Sequence, residues 1–165
     1  MAELKITTDV FAPEAVKAIS ITTDHPSKLL SYMPKLLQEI FRLGGSDVFE
    51  DEIKWDASEA EEYHFWGAWR AKIGKDARST AWFSIKVQGE QNVKDKFGKA
   101  TIKITAYLTS SWKFSSAFER AWSYFYLNYI YADRRRKYIE EVKKDMGLLE
   151  NELRRRLGVV ERHGT

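Results

Sequence analysis

Three segments place an apolar or small residue at every second position: Tyr63-Phe65-Gly67-Trp69-Ala71-Ile73, Ala81-Phe83-Ile85-Val87 and Ala100-Ile102-Ile104-Ala106-Leu108. The intervening positions are mostly charged or hydroxylic. Successive side chains of a strand point to opposite faces, so this period predicts strands with one buried face. From Ser116 the period becomes helical, and Phe118, Trp122, Phe125 and Tyr129 form an aromatic stripe that reads as the cover of that sheet face. Ser116 and Glu119 have capping-box spacing, which places the helix start.

The rest of the chain supplies more of the same sheet. Residues 15–23 and 47–56 read as strands, and Leu4-Lys5-Ile6-Thr7 as an extended arm or edge strand within residues 1–14. Asp24-His25-Pro26 predicts a helix start, with Leu29, Leu30 and Met33 at helical spacing. Pro34 predicts a break, so a second short helix should carry Leu36, Leu37, Ile40 and Phe41 until Gly44-Gly45 ends it. Gly74-Lys75-Asp76-Ala77 suits a hairpin turn, and the polar stretch from Gly89 to Gly98 reads as an exposed loop.

The C-terminal pattern continues for some forty residues through Ile139, Val142, Met146, Leu149, Leu153 and Leu157. A continuous helix of that length would run ~60 Å, more than one small sheet covers. The second stripe should therefore bury itself elsewhere, either by folding back at Gly147 or against another chain. Residues 15–138 form the predicted domain, and residues 139–165 a helical extension and tail.

Composition bounds the function. With 165 residues, 44% hydrophobic and 31% charged, the chain can bury a core without disulfides or metal. It has no cysteine, which excludes thiol catalysis and thiolate metal sites and fits a reducing, cytoplasmic setting. Neither a spanning helix nor a signal peptide is expected, because no long apolar run exists. Three Gln and three Asn against 27 Lys plus Arg and 24 Asp plus Glu give a thermophile-like composition.

The +3 net charge is concentrated late in the chain, at Arg134-Arg135-Arg136-Lys137, Lys143-Lys144 and Arg154-Arg155-Arg156. A polyanion such as nucleic acid or a ribosome could bind there through Arg134, Arg135, Arg136, Arg154, Arg155 and Arg156. Intrahelical pairing with Glu140, Glu141, Glu150 and Glu152 is the simpler reading.

The order of strand, helices around His25-Pro26 and Met33-Pro34, antiparallel strands and long C-terminal helix resembles the helix-grip fold of the START and Bet v 1-like (SRPBCC) superfamily. Ile19-Ser20-Ile21-Thr22-Thr23-Asp24-His25-Pro26-Ser27-Lys28-Leu29-Leu30 is similar to the way those chains leave their first strand. The resemblance implies an α+β fold, a curved antiparallel sheet wrapped on the last helix, with an apolar cavity between them for a hydrophobic, lipid-like molecule. Asp51, Trp55, Tyr63, Trp69, Phe83, Ile104, Trp122, Phe125 and Tyr129 would then line the cavity. Gly67 and Ala81 would leave space between the aromatics; the same side chains packed solid would form an ordinary core.

Chemistry is sparsely encoded. His25, His64 and His163 have no partner at ligand spacing, so no metal site is read and no cofactor is implied. Asp51 shares the phase of Phe49, Ile53 and Trp55, which makes it a candidate buried carboxylate unless an edge position or a bulge turns it to water. No coupled acid and base can be placed, so the reading is a non-catalytic binding module. The alternative is a homodimeric interaction module that uses Trp66 and Trp82 on the outer sheet face, or Ile139, Val142, Met146, Leu149 and Leu153 of the late helix. Trp66 and Trp82 could pair with each other, or stack bases beside Arg70 and Lys86.

Overall fold

A computed structural model describes residues 2–10 and 17–157. The Pro13 segment, the first residues of the strand read at 15–23 and His163 lie outside the described residues. Six antiparallel strands form one sheet: β1 (Ala2–Asp9), β2 (Lys17–Asp24), β3 (Val48–Asp56), β4 (Glu62–Gly74), β5 (Ser79–Asn92) and β6 (Phe97–Phe114). Three helices follow the same chain order: α1 (Lys28–Phe41), α2 (Ala117–Phe125) and α3 (Ala132–Leu157). The fold is thus α+β, with a long helix at the C-terminal end.

The strand β6 organises the sheet. One of its edges pairs with β5, while its other edge pairs with β2 over residues 97–104 and with β1 over residues 107–114. The sheet continues through β4 to β3 at the opposite edge. Leu4–Thr7 is therefore part of an edge strand rather than a free arm. The turn read as an exposed loop is short: β5 runs to Asn92, whose side-chain oxygen accepts N–H bonds from Lys94 and Asp95, and Phe97 already belongs to β6.

The alternating segments behave as their period requires. Phe65, Trp69, Ala71, Ala81, Phe83, Ile85, Ile102, Ile104, Ala106 and Leu108 all face inward and are buried. Gly67 shares that face, but its space is taken: a Cβ there would meet the Trp69 ring at 2.3 Å and Leu30 at 2.7 Å. The small residue admits the indole and the helix instead of leaving a void.

Two helices cover this face. In α1, Leu29, Leu30, Met33, Leu36, Leu37 and Phe41 form one buried stripe, and Phe41 stacks on Phe83 at 4.6 Å. That stripe is continuous across Pro34, so one helix replaces the two expected from the proline; the shared apolar face outweighs one missing backbone bond. Neither Asp24 nor Gly44-Gly45 sets its ends. Asp24 closes β2, and Arg42 in left-handed conformation (φ 53°) stops the helix.

The second cover reverses the expectation for the C-terminal helix. Val142, Met146, Leu149 and Leu153 of α3 are buried in the same core as α1 and the sheet. Phe118, Trp122, Phe125 and Tyr129, predicted to fill that role, are exposed. The cause is a break in the helical run: residues Tyr126–Ile130 form a π-turn, and the Tyr131 N–H bonds back to the Tyr126 carbonyl at 2.7 Å. The axis bends there and α3 turns onto the sheet, whereas no break occurs at Gly147.

Gly147 lies within α3 with open space around it, no neighbouring atom coming within 4 Å of where a methyl carbon would sit. Gly147→Ala should therefore stabilise the protein by about 0.5–1 kcal/mol in chemical unfolding. Leu149→Ala should cost about 2–5 kcal/mol in the same assay, while Leu148→Ala on the exposed side should change little.

Candidate interaction surface

The bend that directs α3 inward leaves α2 with one packed and one open side. Ser116 caps the helix by accepting the Glu119 N–H at 3.1 Å, and the Glu119 carboxylate accepts the N–H of Ser115 at 2.7 Å. Ser123 and Leu127 are buried beneath the helical run. Tyr126 meets Trp112 edge-on at 4.8 Å, and the Arg78 guanidinium lies 3.6 Å from the Trp112 ring centre. These contacts hold one side against the ends of β6 and the β4–β5 hairpin.

The other side carries the aromatic stripe. Phe118 is 80% exposed, Tyr129 70% and Trp122 50%, with Tyr124, Phe125 and Ile130 exposed beside them. The rings are ordered among themselves: Trp122 lies 5.9 Å from Phe125, which stacks on Tyr129 at 5.1 Å. So much aromatic surface in one short segment is more than a scatter of exposed apolar residues.

The pivot is held by a polar cluster that the sequence did not disclose. The Asp76 carboxylate accepts backbone N–H bonds from Arg78 (2.7 Å) and Ser79 (2.8 Å), as turn aspartates do. It also accepts the hydroxyls of Tyr131 and Tyr138, the latter at 2.9 Å. Because the Tyr131 proton goes to Asp76, the Ser79 hydroxyl donates to the Tyr131 oxygen at 3.0 Å and receives from Ser110 at 2.7 Å. Partial burial pushes the Asp76 carboxyl up, but the four donors outweigh it and hold the group below its ordinary value. Tyr131 is pushed up to about 12, by burial first and by its bond to Asp76 second. Every member of the chain is occupied by another member, which is the arrangement of a lock.

The expected ligand set separates into four places. Trp69, Phe83 and Ile104 are fully buried in the core; Trp122 and Phe125 lie on the open side of α2 and Tyr129 is exposed on the π-turn that follows it. Trp55 and Tyr63 sit at the β3–β4 edge, 5.6 Å apart, where Trp55 is 54% exposed. Asp51 is the extra residue of a β-bulge between Glu50 and Glu52 and forms two hydrogen bonds with Arg70, at 2.8 and 3.0 Å, on the outer face. The bulge shifts the phase, so Phe49 also faces outward, in register with Arg70, while Ile53 and Trp55 face inward. These nine residues do not form one site.

The expected interface residues divide likewise. Val142, Met146, Leu149 and Leu153 are consumed by the chain's own core, and Ile139 is half-buried against it. Trp66 and Trp82 do face outward but do not pair; Trp66 lies 6.3 Å from His64, and Trp82 lies 6.3 Å from Phe49. The basic residues of α3 are mostly engaged. Arg154 bonds Glu150, Arg155 bonds Glu152, Arg156 bonds Glu39 and Glu152, and Arg136 pairs with Asp133. Arg135 reaches the Thr8 hydroxyl at 2.7 Å, and the Arg134 guanidinium lies 5.6 Å from the Tyr131 ring centre.

Glu59, Glu62 and His64 bring three ligand-type atoms within 4.8 Å of one another, a proximity made by the β3–β4 connection that linear spacing did not show. No helix among the described residues is long and apolar enough to cross a membrane.

The chain matches no protein-family model and no curated relative. Among solved structures it is similar to a delta-endotoxin (10% identity, TM-score 0.33), the alignment covering 70% of this chain and 63% of that one, under two thirds of its length. It is also similar to the activated Cyt2Ba monomer from Bacillus thuringiensis subsp. israelensis (13% identity, TM-score 0.32, 67% and 74% of the two chains). A protein of unknown function, SA2116 from Staphylococcus aureus, aligns over 82% of this chain and 90% of its own at 12% identity and a TM-score of 0.26. Similarities of this size leave function to be argued from the chain's own residues.

The lock makes stability depend on pH at both ends. A carboxylate held below its ordinary value contributes stability above that value and loses it as pH falls through the folded-state value. Asp76→Asn should therefore cost about 1.5–3 kcal/mol near neutrality and progressively less as pH falls below the carboxylate range. A phenol raised from 10.0 to about 12 contributes fully below pH 10 and loses that contribution between pH 10 and 12. Ultraviolet titration should show late-titrating phenols, Tyr32 among them, and Tyr131→Phe should remove one phenol's worth of that late signal.

Proposed function

We propose that this chain is a non-catalytic interaction module that pairs with a second copy of itself through the aromatic stripe of α2. The exposure of Phe118, Trp122, Phe125 and Tyr129 on one side of a capped helix carries the reading. The stripe holds no charge, and a face of that kind is self-complementary in the two-fold contact that most homodimers use. Its composition also fits: interface cores are enriched in aromatic residues and depleted in charge. In this reading the domain is helix-grip-like, of the START and Bet v 1-like kind, with α1 and α3 as the elements held by the sheet. The grip serves as a scaffold and α2 as the binding element.

A second reading, a hydrophobic small molecule held between the helices and the sheet, draws on two buried polar atoms. The Trp69 indole nitrogen and the Tyr32 hydroxyl have no hydrogen-bond partner among the described residues. Burial pushes Tyr32 up to about 12, although the Arg156 charge opposes it. Organic extraction of purified protein followed by mass spectrometry should recover one stoichiometric apolar compound in this case, and none if the interior is only a core.

Light scattering on the purified chain should report a dimer, and Trp122→Ser/Phe125→Ser should shift the equilibrium to monomer by about 100-fold or more in dissociation constant. Both side chains are exposed, so the circular dichroism spectrum should stay unchanged. A wild-type protein that stays monomeric at high concentration would refute the pairing.

A further inference from the structure

The outer sheet face differs in kind from α2. Cross-strand register sets Ala68, Lys86 and Lys103 in one row, Trp66, Gln88 and Thr101 in the next, and Lys72, Trp82 and Tyr107 in another. Lys72, Lys86 and Lys103 have no carboxylate partner among the described residues, and the Lys72 ammonium lies 5.8 Å from the Trp82 ring centre. Arg70 lies between Phe49 and Trp82, 5.5 and 6.0 Å from the two ring centres. Asp56, Glu62 and Glu90 flank His64 at the far end of β4, while nearer the lysines Glu52 stands opposite Ala68 at the edge of their row and Asp51 is bonded to Arg70.

A shallow depression of about 220 Å³ opens within this face. Trp66 forms one wall, Lys86 and Lys103 supply cations, and Gln88 and Thr101 supply an amide and a hydroxyl. Glu52 completes the rim, with its carboxylate engaged by Lys54. An aromatic wall next to two cations and neutral hydrogen-bonding groups suits a flat base attached to an anionic backbone. A protein partner fits less well, because interface cores are depleted in lysine.

We propose that the outer sheet face binds single-stranded RNA. A base stacks on Trp66 in the depression, Lys86 and Lys103 neutralise the adjoining phosphates, and the strand continues past Arg70 toward Trp82 and Lys72. Six residue steps along β4 separate the Trp66 row from the Lys72 row, about 20 Å of platform with cations between aromatic ends. The hydroxyl and amide groups of Thr101, Thr105, Ser84 and Gln88 lie along that path, where they can pair with 2′-hydroxyls. This site uses neither α2 nor the basic residues of α3, so it stands apart from the pairing proposed above.

Fluorescence anisotropy of a labelled, mixed-sequence single-stranded RNA with the full chain tests it. Binding should be saturable at low salt and weaken steeply with added salt. Lys86→Ala/Lys103→Ala should raise the dissociation constant at least tenfold and reduce the salt slope by about 1.4, for two lost phosphate contacts on a single strand. Trp66→Ala should weaken binding about tenfold with little change in slope. Absence of saturable binding, or a double lysine variant that binds like wild type while Arg134→Ala/Arg136→Ala does not, would overturn the proposal. Equal affinity for the deoxy strand of the same sequence would overturn the assignment to RNA.

Discussion

The structure depends on the bond between the Tyr131 hydroxyl and the Asp76 carboxylate. Tyr131 stands where the helical run bends, and Asp76 in the turn between β4 and β5, so their contact fixes where α3 begins relative to the sheet. With the start fixed there, α3 leads its apolar residues across the inner face to the point where Arg156 meets Glu39 of α1 at 2.7 Å. The aromatic stripe before the bend is left outside. One hydrogen-bonded cluster thus decides which of two apolar stripes becomes core and which becomes surface, a choice hydrophobicity alone does not make.

The strand pattern was legible because period-2 alternation reports burial directly, and from Phe65 to Leu108 the inward set coincides with the alternating residues. The helix stripes were legible as stripes but not as to their use. Both have helical spacing, and the aromatic one is the more apolar; what separates them is a π-turn at Tyr126–Ile130 and a carboxylate fifty-five residues earlier in the chain. Asp51 illustrates the same limit on a smaller scale. Its phase matched the inward set, a bulge or an edge was the alternative, and Asp51 is the extra residue of a bulge that turns it to Arg70. Pro34 misled in the opposite direction, since a local break was overridden by six buried side chains on one face.

The two surfaces left open are chemically distinct. The α2 stripe is aromatic and uncharged, and the outer sheet face sets separated aromatics among lysines and an arginine. Apolar area favours a partner that is itself apolar, whereas spaced cations favour one whose charges repeat along a chain. The basic residues of α3, which composition marks first, are largely engaged within the chain, Arg154 to Arg156 by Glu150, Glu152 and Glu39, Arg136 by Asp133 and Arg135 by Thr8, so charge density in sequence and available charge in space do not coincide.

The double use of β6 bears on how the chain reaches this structure. Thr7 and Thr109, 102 residues apart in sequence, face each other across the β1–β6 ladder, and β2 pairs with the other half of the same strand. Neither N-terminal strand has a sheet partner until β6 has been synthesised. Closing such long loops is slow, and helix α1 and the hairpin β4–β5 can form meanwhile from local contacts. During translation Leu4, Ile6, Ile19 and Ile21 would therefore wait exposed, making the N-terminal segment the part of the nascent chain most in need of protection from aggregation.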